Sequence, residues 1–370
     1  MYAFTFLLNT IGNALFGRAA AAYIGDVIPF LRGSVGQIAL GVGLLTFFYI
    51  INLRGIDMMA SAQKLMTWVL IAALFIFAVA GIIKMKEPIF DFTHHEFLTQ
   101  GWGLNFTDGQ ITGGFFGAVL LFVYSCNGYY FTITYGRDSK NAKRDIPKAM
   151  LATVPTLIIL YVGVAMAAAG MMTLEEYGTS TTLVFAAQKL FGNLGATLFV
   201  IGGPIMALLS TLNSTYANFS IQIGQSCKDG WLPSSFGTQN DKGSYTKILT
   251  FMYIVSLIPI LLNLSITLIT NMMQLAIAAL AFLNIPAWLN MPKMYPKEWA
   301  KSKFHMPSGL YKFIIFISFL SYLITFLKSL FSMNMTMRLG ALVIIIVCVI
   351  LGIYRARKGN ITLHTSVWTE

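Results

Sequence analysis

Residues 115–149 read FFGAVLLFVYSCNGYYFTITYGRDSKNAKRDIPKA and carry the groups best suited to handling a small polar molecule. An apolar run over 115–124 is cut by Ser125-Cys126-Asn127-Gly128 and resumes through Tyr129 to Tyr135. The apolar stretches of the chain hold no paired carboxylates, no HExxH and no nucleophile beside a base, so the pattern points away from bond-making catalysis and an enzyme. Its chemistry is that of exposed peptide groups. A helix interrupted inside a bilayer is tolerated only where the freed backbone faces protein, water or a ligand. In secondary transporters such broken helices lie near mid-membrane and hold the substrate. Ser125, Cys126, Asn127 and Gly128 are therefore candidates for contact with the polar end of a substrate. Tyr129 and Tyr130 are candidates for the wall around its side chain, although a tyrosine packed against its neighbours explains the same residues.

The same stretch resembles the sixth helix and following loop of amino acid permeases of the amino acid–polyamine–organocation (APC) superfamily. Tyr124 and Gly128 match an aromatic and a glycine of that pattern, and Asp138 stands where the family has glutamate. Lys140, Asn141, Arg144, Ile146 and Pro147 also match, while Ala142 replaces a proline. The resemblance implies that Tyr124 is an aromatic lid over the substrate. It also allows Asp138 and Arg144, with Lys140 and Lys143, to form an inner gate by ion pairing. A cluster that obeys only the charge bias of membrane topology accounts for the same cations.

Two further stretches are similar to the permeases. Residues 50–82 match the connection between the fourth and fifth family helices through Asn52, Gly55, Gln63 and Thr67. Some members place an ion-coupling lysine three residues after that threonine, where this chain has Leu70. Residues 190–242 resemble the eighth helix through Ser210, Asn213, Lys228, Asp229, Gly230 and Pro233, without the family's arginine, since Ile221 follows Ser220.

The elements that must position these residues are membrane spans. Hydrophobic residues make up 56% of the chain and charged ones 11%, against roughly 45–50% and 25% in soluble domains. That excess makes lipid the solvent for most of the surface. Three cysteines, Cys126, Cys227 and Cys348, imply no disulfide framework. The chain enters its first apolar run without a basic region or cleavage site, unlike a removable signal peptide. A spanning helix needs about 20 apolar residues, and ten runs approach that. They are 2–24, 36–53, 65–83, 115–135, 150–172, 194–219, 248–262, 266–288, 313–331 and 339–354. Only Asn263-Leu264-Ser265 separates the seventh from the eighth.

The net charge of +11 falls between these runs, which reads as positive-inside topology and not as a surface for nucleic acid. Alternate connections hold Arg54 and Lys64; Arg137 to Lys148; Lys228, Lys242 and Lys247; Lys293 to Lys312; and Arg355, Arg357 and Lys358. The opposite ones hold Arg32, Lys84, Lys86, Lys189 and Arg338. Placing the first group inside puts both termini in the cytoplasm of a multi-pass cell-membrane protein.

Polar residues within spans mark interior faces or sites. Arg18, in the first span, faces the bundle or snorkels from a shifted end. Asn271 and Gln274 lie one turn apart in the eighth span and either line the cavity of the broken helix or bond between helices; Asn213 is a weaker candidate for lining or ion contact. Pro204, after Gly202-Gly203, should bend its span. Adjacent His94 and His95 lack further ligand spacing, so no metal site is expected. Asn105-Phe106-Thr107 is a formal glycosylation sequon.

The fold class expected is an all-α integral membrane protein with the inverted-repeat APC-type transporter fold and about ten transmembrane helices. The resemblance gives it a partial first repeat (1–84), a second repeat (111–290) and two additional helices (311–356). It begins at the family's third helix, and the first three spans carry no second interruption. The first repeat is thus incomplete through truncation, through an internal methionine taken as start, or because another polypeptide completes it. The function implied is a secondary permease that moves a small amino acid or related amine by alternating access. It needs no cofactor; coupling to H+, to Na+ or to exchange, and the oligomeric state, stay open. The rival is a non-transporting fragment or regulatory scaffold derived from a permease.

Overall fold

The computed structural model describes residues 2–86, 105–107, 110–113, 126, 128–136, 139–173, 176, 183–302, 306–331, 333–359 and 361. Among these the chain is helical apart from one short hairpin. Its helices are α1 (Tyr2–Val27), α2 (Ser34–Leu53), α3 (Ile56–Ile83), α4 (Ala142–Met171), α5 (Leu183–Val200) and α6 (Met206–Lys228). They continue as α7 (Thr246–Leu261), α8 (Ile266–Met294), α9 (Pro296–Lys301), α10 (Ser308–Phe331) and α11 (Met335–Lys358). The hairpin pairs β1 (Asn105–Thr107) with β2 (Gln110–Gly113), Phe106 opposite Ile111, and places the sequon asparagine on β1. Seven helical stretches among the described residues are long and apolar enough to cross a membrane, with α5 and α6 read as one of them. This is the architecture of a multi-pass membrane protein.

Several boundaries differ from the hydropathy runs, each for a local reason. α4 starts eight residues before its run, because Ala142 is the first helical residue after Asn141 and Asp145 in the first turn suits the helix dipole. The proline that the family carries at this place would occupy the position where helices favour proline. α8 runs on through Pro286 and Pro292 to Met294, into what the sequence suggested was loop. α7 and α8 are separate helices. Asn263 takes a positive φ of 52° between them, and Ser265 caps α8 by accepting from the Leu268 amide.

The bend expected at Pro204 is a π-helical turn over Ile201–Ile205, between α5 and α6. Proline removes one donor, and the wider turn re-pairs the backbone around it. A second break lies at Gly192, whose φ of 70° and ψ of −178° fall outside helix geometry.

α1 occupies the centre, packed by α2, α6, α7 and α8. Small residues allow the close crossings that association in lipid depends on. Gly17 lies against the Gly41 carbonyl of α2 at a Cβ-equivalent distance of 3.5 Å. A Cβ on Gly81 of α3 would collide with the Cβ of Ala167 on α4. Ala73 and Ala78 of α3 meet Gly202 and Gly163 in the same way, each at 3.1 Å. Two buried clusters result. One, around Leu45, Leu212, Tyr216, Ile248 and Met252, joins α1, α2, α6 and α7. The other, around Phe77, Ala167, Ala187 and Val200, joins α3, α4 and α5.

The basic connections gather at one end of the bundle. Ser244 Oγ donates to the Asn52 carbonyl at 2.7 Å and Asn240 Nδ2 to the Leu53 carbonyl at 3.0 Å, so the α6–α7 loop clasps the α2–α3 turn beside Arg54. Arg355 Nε, near the end of α11, donates to the Gly230 carbonyl at 3.0 Å. At the other end the Lys86 amide donates to the Gly170 carbonyl, and Lys189 pairs with Glu176.

Candidate functional site

The break in the fourth run is visible at Cys126 and Gly128, both in turn conformation. Gly128 has φ 111° and ψ −17°, a left-handed backbone that L side chains rarely adopt. Its carbonyl accepts the Phe131 amide at 3.0 Å and opens a 3₁₀ helix over Tyr129–Tyr135. Seven residues is a long run for that helix type, and such stretches mark hinges and functional sites. Cys126 is a free, half-buried thiol. Tyr124, Ser125 and Asn127 lie outside the described residues, and so does Asp138 of the expected gate.

The 3₁₀ helix leans on α6 at two successive points. Phe131 meets Phe219 edge to face at 5.8 Å between ring centres. One turn on, Gln222 Nε2 donates to Thr134 Oγ1 at 2.9 Å. Below this contact, toward the basic end, is a cavity of about 580 Å³. Thr134, Gln222, Gln225, Lys228, Gln239 and Tyr245 contribute its polar lining, with Asn52, Ser220 and Ser244. That volume is within the roughly 300–1,000 Å³ of small-molecule sites.

The family motifs explain how this wall is built. Asn213 is fully buried, and its amide joins three helices. Its Oδ1 accepts from Asn52 Nδ2, and its Nδ2 donates to the Met59 carbonyl and to Gln63 Oε1, each at 3.1 Å. Asn52 and Gln63, singled out from one motif, thus bond the asparagine of another. Asn213 consequently holds α2, α3 and α6 together. Lys228, Asp229, Gly230 and Pro233 form a helix terminus. Gly230 takes a φ of 84°, the Trp231 amide reaches back to the Ser226 carbonyl and the chain leaves through Pro233.

Other expected residues fall elsewhere. Asn271 is buried on α8, and Gln274 Oε1 accepts from Ser329 Oγ of α10 at 3.3 Å. Gln274 therefore bonds between α8 and α10, and neither residue lines the cavity beside Gln222 and Lys228. Arg144 bonds its neighbour Asp145 at 2.8 Å on the exposed start of α4. On α1, Asn13 Oδ1 accepts from Thr215 Oγ1 at 2.6 Å. Asn13 Nδ2 and one terminal nitrogen of Arg18 are buried without a hydrogen-bond partner among the described residues, so that end of Arg18 faces the interior. The lining glutamines were not foreseen. Their signal was the spacing Gln222, Gln225, Lys228, which puts three polar residues on one side of the last turns of α6.

A membrane bundle of long apolar helices, with a left-handed glycine at the head of a 3₁₀ helix, defines a class of protein, and comparison with known sequences places the chain within it. The model of the amino acid permease family matches residues 1–354. The chain belongs to the amino acid permease family. Among curated proteins it is 24% identical to the arginine/ornithine antiporter ArcD1 of Lactococcus lactis, over 65% of this chain and 47% of that protein. It is 24% identical to the serine/threonine exchanger SteT of Bacillus subtilis, over 56% of this chain and 45% of that protein. A Methanocaldococcus jannaschii protein without an assigned function is 24% identical, over 69% and 55% of the two chains. The chain spans about half the length of these relatives.

Proposed function

We propose that this protein is a secondary transporter that carries amino acids across the cell membrane by alternating access. The observation that carries the reading is Gly128, left-handed at the head of a 3₁₀ helix, in a chain of the amino acid permease family. A turn that breaks a span leaves backbone groups in need of a polar partner, and a substrate meets that need. In this reading Ser125, Cys126, Asn127 and Gly128 contact the polar end of the substrate, Tyr124 covers it and Tyr129 borders its side chain. The basic end of the bundle is cytoplasmic, with both termini there. Residues 1–84 form a partial first repeat and 111–290 the second, with 311–356 outside them, and a bundle that includes the broken helix rocks against a scaffold. The antiporter and exchanger among the relatives favour exchange as the mode of coupling. Saturable uptake of labelled amino acids by proteoliposomes of the purified protein, stimulated by unlabelled amino acid inside, is the expected result. Uptake no faster than into protein-free vesicles, for every amino acid tried, would reject it.

A further inference from the structure

The cavity below the break is separate from the residues assigned to the substrate. Thr134 on its wall is six positions beyond Gly128, about 12 Å at the roughly 2 Å rise of a 3₁₀ helix. Three glutamines and one lysine supply its chemistry. Gln222 Nε2 donates to Thr134 Oγ1, Gln225 Nε2 to Asp229 Oδ1 and Gln239 Nε2 to the Gly243 carbonyl, at 2.8–2.9 Å. Each amide is thereby oriented by one of its two N–H groups, which leaves its Oε1 as an acceptor and its second N–H as a donor. Lys228 forms no salt bridge among the described residues, and its ammonium stands 5.9 Å from the centre of the Tyr245 ring. Among the described residues no carboxylate contributes to the lining, and the nearest in sequence to Lys228, Asp229, already accepts from Gln225.

A cation for a carboxylate, amide oxygens for an ammonium and nothing for a second positive charge match an amino acid whose side chain is neutral or acidic. We propose that this cavity is a second substrate station on the basic side of the break. In it Lys228 holds the substrate carboxylate, and amino acids with cationic side chains are turned away. The inference rests on the transporter reading and assigns that path its inner stop and its substrate class.

Two measurements test it on the purified protein. In proteoliposomes, exchange of labelled serine is followed while internal serine, glutamate or arginine is varied. Wild type should exchange against internal serine and glutamate but poorly against arginine. Lys228→Gln should raise the internal half-saturation for serine about tenfold, as expected for loss of a charge-assisted bond, and leave the external value within about twofold. Lys228→Arg should stay near wild type. Unchanged internal half-saturation in Lys228→Gln, or arginine exchanging as well as serine in wild type, would overturn the proposal. Binding of labelled serine to the solubilised protein reads the station without transport. Two components are expected in wild type and one in Lys228→Gln; one component of equal affinity in both overturns the station even where uptake succeeds. Absence of any exchange by wild type, with two binding components intact, would instead count against the transporter reading alone.

Discussion

Replacing Asn213 with leucine would leave Asn52 Nδ2, Gln63 Oε1 and the Met59 carbonyl short of a partner in a buried junction. Leaving buried polar groups unmade costs about 1–3 kcal/mol, and interhelical bonds in membranes average about 0.6 kcal/mol. Asn213→Leu should therefore lower the melting temperature of the solubilised protein by a cost of about 1–2 kcal/mol, while the molecules that remain folded keep their substrate half-saturation. A changed half-saturation at unchanged stability would return Asn213 to the binding site. Glu176 gives the pH dependence. Lys189 and the Thr173 amide hold its carboxyl below the ordinary carboxylate range. A depressed folded-state value contributes stability that is complete above the unfolded value of about 4.3 and is lost as pH falls through the lower folded value. Melting curves of wild type and Glu176→Gln should differ by a constant amount from pH 5 to 8 and converge below about pH 4; a difference that varies between pH 6 and 8 would point to another group. The sequence named Asn52, Gln63 and Asn213 but not their union, because the partners stand 150 and 161 positions apart and no local pattern encodes such a meeting.

At the scale of elements, the α3–α4 crossing depends on the absence of side chain at Gly81. A Cβ there meets both the Cβ and, at 3.0 Å, the Cα of Ala167, and backbone cannot step aside as a flexible side chain can. Gly81→Val should separate these helices and cost about 1–3 kcal/mol, read as a lower melting temperature. Gly43 of α2 has nothing within 4 Å of its Cβ position. Gly43→Val should be close to neutral, and equal destabilisation by the two would show that helix propensity, not contact, sets the cost. Hydropathy located the bodies of the described helices, since spanning length is a strong constraint, but it began α3 nine residues late and joined the end of α5 to α6 in one run. It missed the early start of α4 and the extension of α8 because capping and interior prolines, not hydrophobicity, decide those ends. The bend at Pro204 was legible from its Gly-Gly-Pro triplet. The glutamine face of α6 escapes hydropathy because Gln222 and Gln225 lie beyond the apolar run, which ends at Phe219, while the helix continues to Lys228.

For the molecule as a whole, the clasp of the α6–α7 loop on the α2–α3 turn and the bond from Arg355 to Gly230 gather the basic groups at one end. Charge bias then orients the protein. Cysteines placed singly at Lys247 and at Lys189, in a background lacking the three native thiols, should differ in right-side-out vesicles. A membrane-impermeant thiol reagent should label the second and spare the first, and the reverse pattern would invert the topology.

The substrate is expected to meet the turn at Gly128. The most direct measurement is initial uptake of a labelled amino acid into proteoliposomes, compared for wild type and Gly128→Leu at equal reconstituted protein. Leucine at a φ of 111° carries a backbone cost of about 1–2 kcal/mol and puts a side chain into the break. The prediction is uptake reduced about tenfold or more with the melting temperature lowered by only a few degrees. Equal uptake by the two proteins would contradict the account.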